Sequence, residues 1–262
     1  MSGKVIILGA GAAPGVPSLC MGWGNCNPEN PRNRRIRTST YVEINGVKFL
    51  IDTCPNLREQ LVDNQIKALD AVLYSHAHAD HLHGIDDLRE INRISRDSLN
   101  IYAGEVTLKR IKHCFAYLIA RPNQVKNVVR MPSLVPNLIK ANHPFYIKGV
   151  KVMPIKLLQH CPECLGYVFN DGEYVHIADF KMIAESAFER ITVRPKLMVM
   201  PLTTPYGQIQ HAGLDEVLGY IDRIKARHVV LNHMASECDY DEIMQMTPEN
   251  VEPAYDGMTI EF

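Results

Sequence analysis

The feature that most constrains the fold is a hexapeptide of closely spaced ligand-type side chains, His76-Ala77-His78-Ala79-Asp80-His81. It directly follows an apolar run at residues 71–75, which predicts a buried strand that ends at the cluster. Imidazole and carboxylate groups are ligands for Zn²⁺, Fe²⁺ or Mn²⁺. Six residues are too few to surround one ion with all four groups. The spacing therefore favours two ions, with the first two histidines facing one ion and the aspartate and last histidine facing the other.

Composition restricts the class of protein. The chain has 262 residues, 46% apolar and 22% charged, which is typical of a soluble globular protein. The net charge of −1 gives no basic field that would attract nucleic acid, and no apolar stretch approaches the ~20 residues of a membrane span. The seven scattered cysteines indicate reduced thiols. We therefore expect one domain over residues 1–262, in the cytoplasm, without a membrane segment or a strong nucleic-acid-binding surface.

Short strand patterns recur in both halves of the chain, with helix patterns between them. Strands are predicted at residues 5–8, 40–44, 48–51, 71–75, 99–103, 145–147, 150–154, 166–169, 174–178, 197–200, 228–231 and 258–262. Helices are predicted at residues 84–94, 105–119 and 214–225. Asn45-Gly46 predicts a tight hairpin turn, and residues 123–142 read as a loop. Hairpins and helices in both halves predict an α/β fold in which two sheets pack together and helices flank them.

Further ligand candidates lie at or beside the ends of predicted strands: His160, Asp179, His211 and His233. Side chains at the carboxyl ends of strands converge on one edge of a sheet. A two-metal site needs about three ligands per ion and a bridge. We assign His76, His78 and His160 to the first ion; Asp80, His81 and His233 to the second; and the Asp179 carboxylate to the bridge. Two ions ~3.5–4 Å apart can hold a bridging hydroxide and clamp an oxyanion.

Other residues receive supporting or alternative interpretations. Asp52 follows an apolar run and could accept an N–H from a ligating histidine, although a simple turn residue is the alternative. A group of arginines, Arg34, Arg35 and Arg37, would bind phosphate or lie solvated at the surface. The pair Cys161 and Cys164 is a single CxxC without a second pair, and free thiols are the better interpretation.

The hexapeptide matches the HxHxDH motif, and the chain resembles the metallo-β-lactamase-fold hydrolases. Residues 51–53 resemble the segment that carries the supporting aspartate, and the later ligands occur in the family's order. The resemblance implies an αββα sandwich of two mixed β-sheets flanked by helices, with the site at one edge. Aspartate rather than cysteine at the bridging position distinguishes the chain from true β-lactamases.

Within that superfamily, residues 8–17 and 33–39 resemble the phosphodiesterase branch. This branch includes the phosphoribosyl 1,2-cyclic phosphate phosphodiesterase of the carbon–phosphorus lyase pathway and, more distantly, the tRNA 3′-processing endonucleases. Only residues 161–178, 18 in number, separate two ligands between which the endonucleases carry a tRNA-gripping arm, so a small substrate is implied. Cys20 and Cys26 do not reproduce the structural zinc cluster of the cyclic phosphodiesterases. Relatives also suggest a homodimer.

These observations predict a metal-dependent hydrolase with two divalent ions, Zn²⁺ first and Mn²⁺ or Fe²⁺ as alternatives. It would cleave a small cyclic or nucleotide-like phosphodiester through a metal-bridging hydroxide, with Asp80 and His211 as catalytic residues. The resemblance gives His211 a role in protonating the leaving group, for which a near-neutral pKa is suited. The alternative makes His211 a metal ligand and His233 structural. Other candidates for the function are a lactonase or thioesterase on the same scaffold, or a metal-binding protein without catalysis.

Overall fold

The computed structural model describes residues 3–120 and 133–262. Its strands are β1 Gly3–Gly9, β2 Ser39–Ile44, β3 Val47–Ile51, β4 Ala71–Leu73, β5 Leu99–Ala103, β6 Leu134–Leu138, β7 Phe145–Ile147, β8 Val150–Leu158, β9 Cys164–Phe169, β10 Tyr174–His176, β11 Met182–Ile183, β12 Leu197–Pro201, β13 His228–Asn232, β14 Val251–Pro253 and β15 Met258–Glu261. The α-helices are α1 Leu57–Asp63, α2 Ala79–Leu82, α3 Leu88–Ser95, α4 Glu105–Cys114, α5 Glu185–Phe188, α6 Leu214–Ile224 and α7 Tyr240–Met246.

The strands form two mixed sheets. The first has the order β15-β1-β2-β3-β4-β5-β6, and the second has the order β11-β8-β9-β10-β12-β13-β14 with β7 paired to β8. In each sheet an antiparallel part adjoins a parallel part, which begins at β3–β4 in the first sheet and at β10–β12 in the second. The parallel strands therefore bring their carboxyl ends to a common edge in both halves, as α/β sites require.

The two sheets pack face to face, and helices cover their outer faces. Alternate residues of β1 show this directly, because Val5 and Ile7 lie in the core between the sheets while Ile6 and Leu8 pack toward the helices that include α1, α3 and α4. Across the interface the rings of Phe49 and Phe169 meet edge to face with centroids 5.3 Å apart. The α/β sandwich with flanking helices expected from the sequence is confirmed.

The predicted hairpin at Asn45-Gly46 is present. Both residues have positive φ angles, 52° and 78°, and Ile44 pairs with Val47 across the turn. These angles are those of the tight turn whose twist matches antiparallel strands, and asparagine and glycine adopt them readily. The segment between His160 and Asp179 is likewise the predicted hairpin, formed by β9 and β10.

The prediction of a loop over residues 123–142 is wrong for residues 134–138. Leu134–Leu138 forms β6, parallel to β5, at the edge of the first sheet. Among the described strands β6 pairs with β5 alone, and proline is tolerated in such an edge strand, so Pro136 misled the prediction. Residues 123–132 lie outside the described residues. The helix predicted at 105–119 ends at Cys114, and a short 3₁₀ turn, Ala116–Leu118, follows it.

No helix in residues 3–120 or 133–262 is long and apolar enough to cross a membrane.

Asp256 joins three segments near the start of the chain's last strand. Its Oδ1 accepts from the backbone N–H of Ala10 and its Oδ2 from that of Ile36, each at 2.8 Å. Burial raises the pKa of Asp256 to about 6, although the backbone N–H groups and Arg35 oppose the rise. The neutral carboxyl is therefore favoured in the folded chain relative to the unfolded chain.

We predict that Asp256 makes folding stability pH-dependent. Because its folded pKa is raised, its stabilising contribution is present at low pH and is lost as the pH rises through about 6. Between pH 5 and 7.5 the wild-type free energy of unfolding should fall by roughly 1 kcal/mol relative to Asp256→Asn. Urea unfolding at each pH measures this difference. Asp63→Asn, at an exposed position in α1, is the control and should follow the wild type; parallel curves for Asp256→Asn would contradict the prediction.

Candidate metal centre

The hexapeptide spans a change of backbone conformation that separates its side chains. After β4 ends at Leu73, residues 74–78 form no regular element; His78 is extended, with φ −68° and ψ 153°, and α2 begins at the next residue. Asp80 and His81 thus lie in a helical turn, whereas His76 precedes it. Because the backbone changes from extended to helical after His78, the first two histidines and the last two ligand candidates point in different directions. A uniform strand or helix of six residues would not separate them in this way.

One cluster contains the three histidines predicted for the first ion. His160 Nε2 lies 3.3 Å from His76 Nε2 and 3.1 Å from His78 Nδ1. His160 follows β8 after Gln159, whose φ of 61° turns the chain toward the cluster. Three imidazole nitrogens converging at this spacing are suited to one metal ion.

The second cluster contains Asp80, His81 and His233. His233 Nε2 lies 3.3 Å from both His81 Nε2 and Asp80 Oδ2, and His81 Nε2 lies 3.4 Å from Asp80 Oδ2. His233 directly follows β13 and has a φ of 58°, so the strand end aims its ring at the cluster. This position disfavours the alternative in which His233 is only structural.

Asp179 lies between the two clusters. Its Oδ2 is 3.6 Å from His160 Nε2, 3.4 Å from His81 Nε2 and 3.3 Å from His233 Nε2. Its Oδ1 is buried and accepts no hydrogen bond from any residue that the structure describes. A buried carboxylate oxygen without a donor is unusual, and a metal ion would satisfy it. The donor set therefore fits two divalent ions with Asp179 between them.

The negative charge of the three carboxylates at the site also favours bound cations. Asp52 and Asp179 are buried and Asp80 is largely covered, yet among the described residues their ion pairs are with histidines alone. Burial opposes the charged form of Asp179, but His233 and His81 hold its pKa well below the usual value. Burial likewise opposes a charged His81, but the carboxylates around it raise its pKa well above the ordinary value. Burial, assisted by His81, lowers the pKa of His76. Buried carboxylates that stay ionised and raise the pKa of a buried histidine indicate a site with too little positive charge to balance them.

In three of the histidines at the centre, the ring nitrogen Nδ1, which faces away from the cluster, contacts another group of the protein. His76 Nδ1 contacts Ser75 Oγ at 2.9 Å, and His160 Nδ1 contacts the Gln210 carbonyl at 3.2 Å. His81 Nδ1 contacts Asp52 Oδ2 at 2.7 Å. Such contacts fix the tautomer so that Nε2 is the free lone pair, as metal-binding histidines require.

Asp52 serves both clusters. Its Oδ2 accepts from Ser75 Oγ at 2.6 Å as well as from His81, and its Oδ1 accepts from the Ser75 backbone N–H at 2.8 Å. Since Ser75 Oγ donates to Asp52, it accepts from His76 Nδ1. One carboxylate therefore orients a histidine of each cluster, directly for His81 and through Ser75 for His76. Ser75 was missed in the sequence because nothing but its position beside His76 indicates the role.

His211 lies at the mouth of the site beside Thr203. Thr203 Oγ1 is 3.0 Å from His211 Nδ1 and 3.2 Å from His233 Nδ1. If His233 binds metal through Nε2, its Nδ1–H donates to Thr203, and the hydroxyl then donates to His211 Nδ1. That arrangement leaves the proton of His211 on Nε2. Burial lowers the pKa of His211 to about 4, below the near-neutral value that the sequence suggested.

A cavity of about 340 Å³ opens onto the centre. Its lining includes His78, Asp80, His211 and Ser236, together with residues 12–15 of the loop after β1. Cavities of this size hold small ligands.

None of the three predicted phosphate-binding arginines lines this cavity. Arg35 is fully buried and donates to the Cys238 carbonyl at 2.7 Å and to Asn33 Oδ1 at 3.0 Å, so the phosphate-binding prediction is wrong for it. Arg37 donates to the Ala13 carbonyl and to Asn56. Arg34 stacks its guanidinium over Trp23 at 5.2 Å. These cations organise the loop after β1 and do not reach the centre.

The cysteines singled out in the sequence lie in two places: Cys20 and Cys26 in the loop after β1, and Cys161 and Cys164 near the centre. Cys26 is buried and its thiol points to the Ser236 and Cys238 carbonyls, while Cys20 is exposed. Cys164 donates to the Asp179 carbonyl. Cys161 lies with the three histidines of the first cluster, all ligand atoms being within 4.8 Å of one another. Sequence reasoning treated Cys161 only as half of a CxxC and missed its place beside the centre.

Two packed mixed sheets with a histidine–aspartate centre at their edge define a metal-dependent hydrolase of the metallo-β-lactamase fold. The chain belongs to the beta-lactamase superfamily, because residues 48–234 match the model of the family described as "Beta-lactamase superfamily domain".

Individual proteins similar to this chain carry different names. The crystal structure of a protein described as a new diphosphatase from the PhnP family is 28% identical, with a TM-score of 0.88 over 100% of this chain and 98% of its own. The short form of human tRNase Z is 18% identical, with a TM-score of 0.67 over 98% of both chains, and shows the fold alone. A curated Porphyromonas gingivalis protein named octanoyltransferase is 29% identical over 97% of this chain. The chain spans about half, 51%, of that relative's length.

We predict that Asp52 controls metal affinity in both clusters, whereas Ser75 controls only the first. Asp52→Asn removes an acceptor shared by Ser75 and His81, and it should weaken binding of both ions by ~10–100-fold. Ser75→Ala should weaken one ion only. Titration of metal-free protein against a chelating dye, followed to saturation, measures both steps. Unchanged affinities in Asp52→Asn would rule out its orienting role.

Proposed function

We propose that this chain is a binuclear metal-dependent phosphodiesterase that cleaves a small phosphodiester, such as a cyclic phosphate or a nucleotide-like diester. The proposal rests chiefly on Asp179 Oδ2, which lies 3.3 to 3.6 Å from ligand nitrogens of both clusters. Bound there, two divalent ions, Zn²⁺ in the first instance and Mn²⁺ or Fe²⁺ otherwise, would polarise the phosphoryl oxygens and activate a water.

The protein's own residues would divide the remaining work. Asp80 would hold its ion and, because it lines the cavity, orient the attacking water. His211 would direct its Nε2–H toward the departing oxygen, held in that tautomer by Thr203. A neutral imidazole of lowered pKa acts best as a hydrogen-bond donor to developing negative charge. Phosphodiester cleavage needs such stabilisation because the leaving oxygen becomes an alkoxide.

A small substrate is favoured by the shape of the site. The β9–β10 hairpin fills the chain between His160 and Asp179, where an inserted arm would otherwise lie. The 340 Å³ cavity matches a nucleotide-sized ligand better than a folded RNA. The 28% identical relative, described as a diphosphatase of the PhnP family, also supports a phosphate-containing substrate.

Acyl chemistry is the competing proposal, because one relative is named octanoyltransferase. This chain matches only 51% of that protein, so the name does not identify which half carries the transfer. A panel of bis(4-nitrophenyl) phosphate, cyclic nucleotides, a lactone and an octanoyl thioester separates the candidates. Preference for the thioester or lactone would overturn the phosphodiesterase proposal, and hydrolysis of none would favour a non-catalytic metal-binding protein.

We predict that the protein binds about two divalent ions and that Asp179 joins them. Asp179→Ala should reduce the bound metal to about one ion or fewer and lower turnover by roughly 10³-fold, while the far-ultraviolet circular dichroism stays unchanged. Elemental analysis of reconstituted protein measures the metal content. Asp222→Ala, an exposed carboxylate on α6, is the control. Saturation of the wild type at one ion would contradict the dinuclear assignment.

We predict that His211→Ala retains both ions but slows cleavage by ~10²–10⁴-fold. The loss should shrink for substrates with acidic leaving groups, since these need less charge stabilisation. His211→Asn should recover part of the rate, because its amide supplies a neutral donor. Steady-state kinetics across aryl diesters, with metal analysis of each variant, tests this. Loss of an ion in His211→Ala would instead support a ligand role, which its position near His160 and Asp179 allows.

A further inference from the structure

Cys161 directly follows His160 and places a sulfur atom beside the first cluster. Its Sγ and one nitrogen each of His76, His78 and His160 lie within 4.8 Å of one another. Cys161 is half-buried, and it lines a second cavity, of about 450 Å³, that also includes His78. Zn²⁺ binds mixed sets of cysteine sulfur and histidine nitrogen. The cluster therefore offers one donor more than the three histidines assigned to the first ion from the sequence.

The turn that carries Cys161 is fixed against α4 by the side chain of Glu163. The Glu163 Oε2 accepts from the backbone N–H groups of Val106 and Thr107 at 3.0 and 3.2 Å, at the start of that helix. Gly104 makes room for this carboxylate, because a Cβ at that position would overlap it. The turn is thus held in place by contacts that do not use the sulfur of Cys161.

Backbone contacts also fix the turn relative to the hexapeptide. The Leu165 N–H donates to the Ser75 carbonyl at 3.0 Å, and Ser75 directly precedes His76. The Cys161 thiol donates to the Glu163 carbonyl at 3.1 Å. Because a thiol is a weak hydrogen-bond donor, little is lost when its proton leaves and the sulfur binds a metal ion instead.

The second cysteine of the pair has a different environment. Cys164 is buried in β9, and its thiol donates to the Asp179 carbonyl at 3.1 Å. Among the described residues, the group formed with the three histidines includes Cys161 and does not include Cys164. The two sulfurs are therefore suited to different roles, although they belong to one CxxC sequence.

We propose that Cys161 is a sulfur ligand of the first ion and makes that site selective for thiophilic ions such as Zn²⁺ and Cd²⁺. The S–H bond breaks, its proton passes to solvent, and the sulfur electron pair forms the bond to the metal without a change of oxidation state. The second cluster contains the Asp80 carboxylate and no sulfur, and carboxylates suit harder ions such as Mn²⁺. This inference rests on the metal binding of the proposed function and not on the identity of the substrate.

Cobalt substitution tests the sulfur contact. The full chain is reconstituted with Co²⁺ under reducing conditions and followed in the near ultraviolet, where a thiolate bound to Co²⁺ gives a charge-transfer band that imidazole and carboxylate ligands do not give. The wild type should show this band. Cys161→Ser should lack it, although the serine hydroxyl can still donate to the Glu163 carbonyl and preserve the turn. Absence of the band from the wild type, or its persistence in Cys161→Ser, would overturn the proposal.

Two control variants separate Cys161 from other thiols. Cys114→Ser changes an exposed cysteine at the end of α4 and should keep the band. Cys164→Ala should also keep it, because the Cys164 thiol is directed to the Asp179 carbonyl. Loss of the band in Cys164→Ala together with its persistence in Cys161→Ser would assign the sulfur ligand to Cys164 and overturn the proposal.

Competition with a chelator measures the selectivity of the first site. Loss of a group behind a metal ligand costs ~10–100-fold in affinity, so loss of the sulfur ligand in Cys161→Ser should weaken Cd²⁺ binding at one site by at least ~100-fold. Binding of Mn²⁺ should change by less than about threefold, because Mn²⁺ gains little from sulfur. An equal loss for both ions would overturn the proposed selectivity.

The outcomes for Cys161 and for the proposed function are distinguishable. If the charge-transfer band depends on Cys161 but no diester is cleaved, the phosphodiesterase function fails and the sulfur ligand stands. If the protein binds two ions and cleaves diesters without the band, the sulfur ligand fails and the function stands.

Discussion

The structure depends on the position of Asp179 between two groups of imidazoles. Its Oδ2 lies within 3.6 Å of a nitrogen in each cluster, and no residue in 3–120 or 133–262 donates a hydrogen bond to its Oδ1. Together with Asp52 and Asp80 it concentrates negative charge where no lysine or arginine of the described chain pairs with it. Buried charge of this kind needs compensation. The ends of β4, β8, β10 and β13 therefore meet where bound cations can stabilise the folded chain as well as serve the reaction.

Hydrogen bonds behind the ligands explain how the centre keeps its geometry. Asp52 orients His81 directly and His76 through Ser75, so both clusters depend on one buried carboxylate. On the opposite side, Thr203 bridges His233 and His211. The same hydroxyl thus connects a metal-binding ring with the ring proposed to stabilise the leaving group. Such contacts limit ring rotation and tautomer exchange, which makes the site organised before substrate binds.

Two cavities that share His78 open beside the centre. The loop after β1 and the segment that carries His211 form one cavity, and α4 forms the wall of the other. The buried Arg35 does not line the first of these, and its Nη1 and Nη2 donate to the Cys238 carbonyl and to Asn33 Oδ1. The fold and the histidine–aspartate centre define a metal-dependent hydrolase, whereas the residues of these two cavities would determine which substrate fits.

The sequence by itself determined the elements whose information is local. The hexapeptide after β4, the Asn45-Gly46 turn and the amphipathic α6 each carry their signal within a few residues. Short elements such as α7 escaped prediction, although Asp239 caps that helix by accepting from two backbone N–H groups. The ordered ligands also allowed the family resemblance to be stated, and with it the αββα sandwich.

Tertiary structure alone decided which distant residues meet. Arg35 has the same charge and neighbourhood in sequence as Arg34, yet one is buried and the other exposed. Thr203 gains its role only because packing brings His211 and His233 to it, and Ser75 gains its role because packing brings Asp52 to it. Periodicity and spacing report local backbone geometry, whereas burial and contacts across the sheets depend on how the whole core packs.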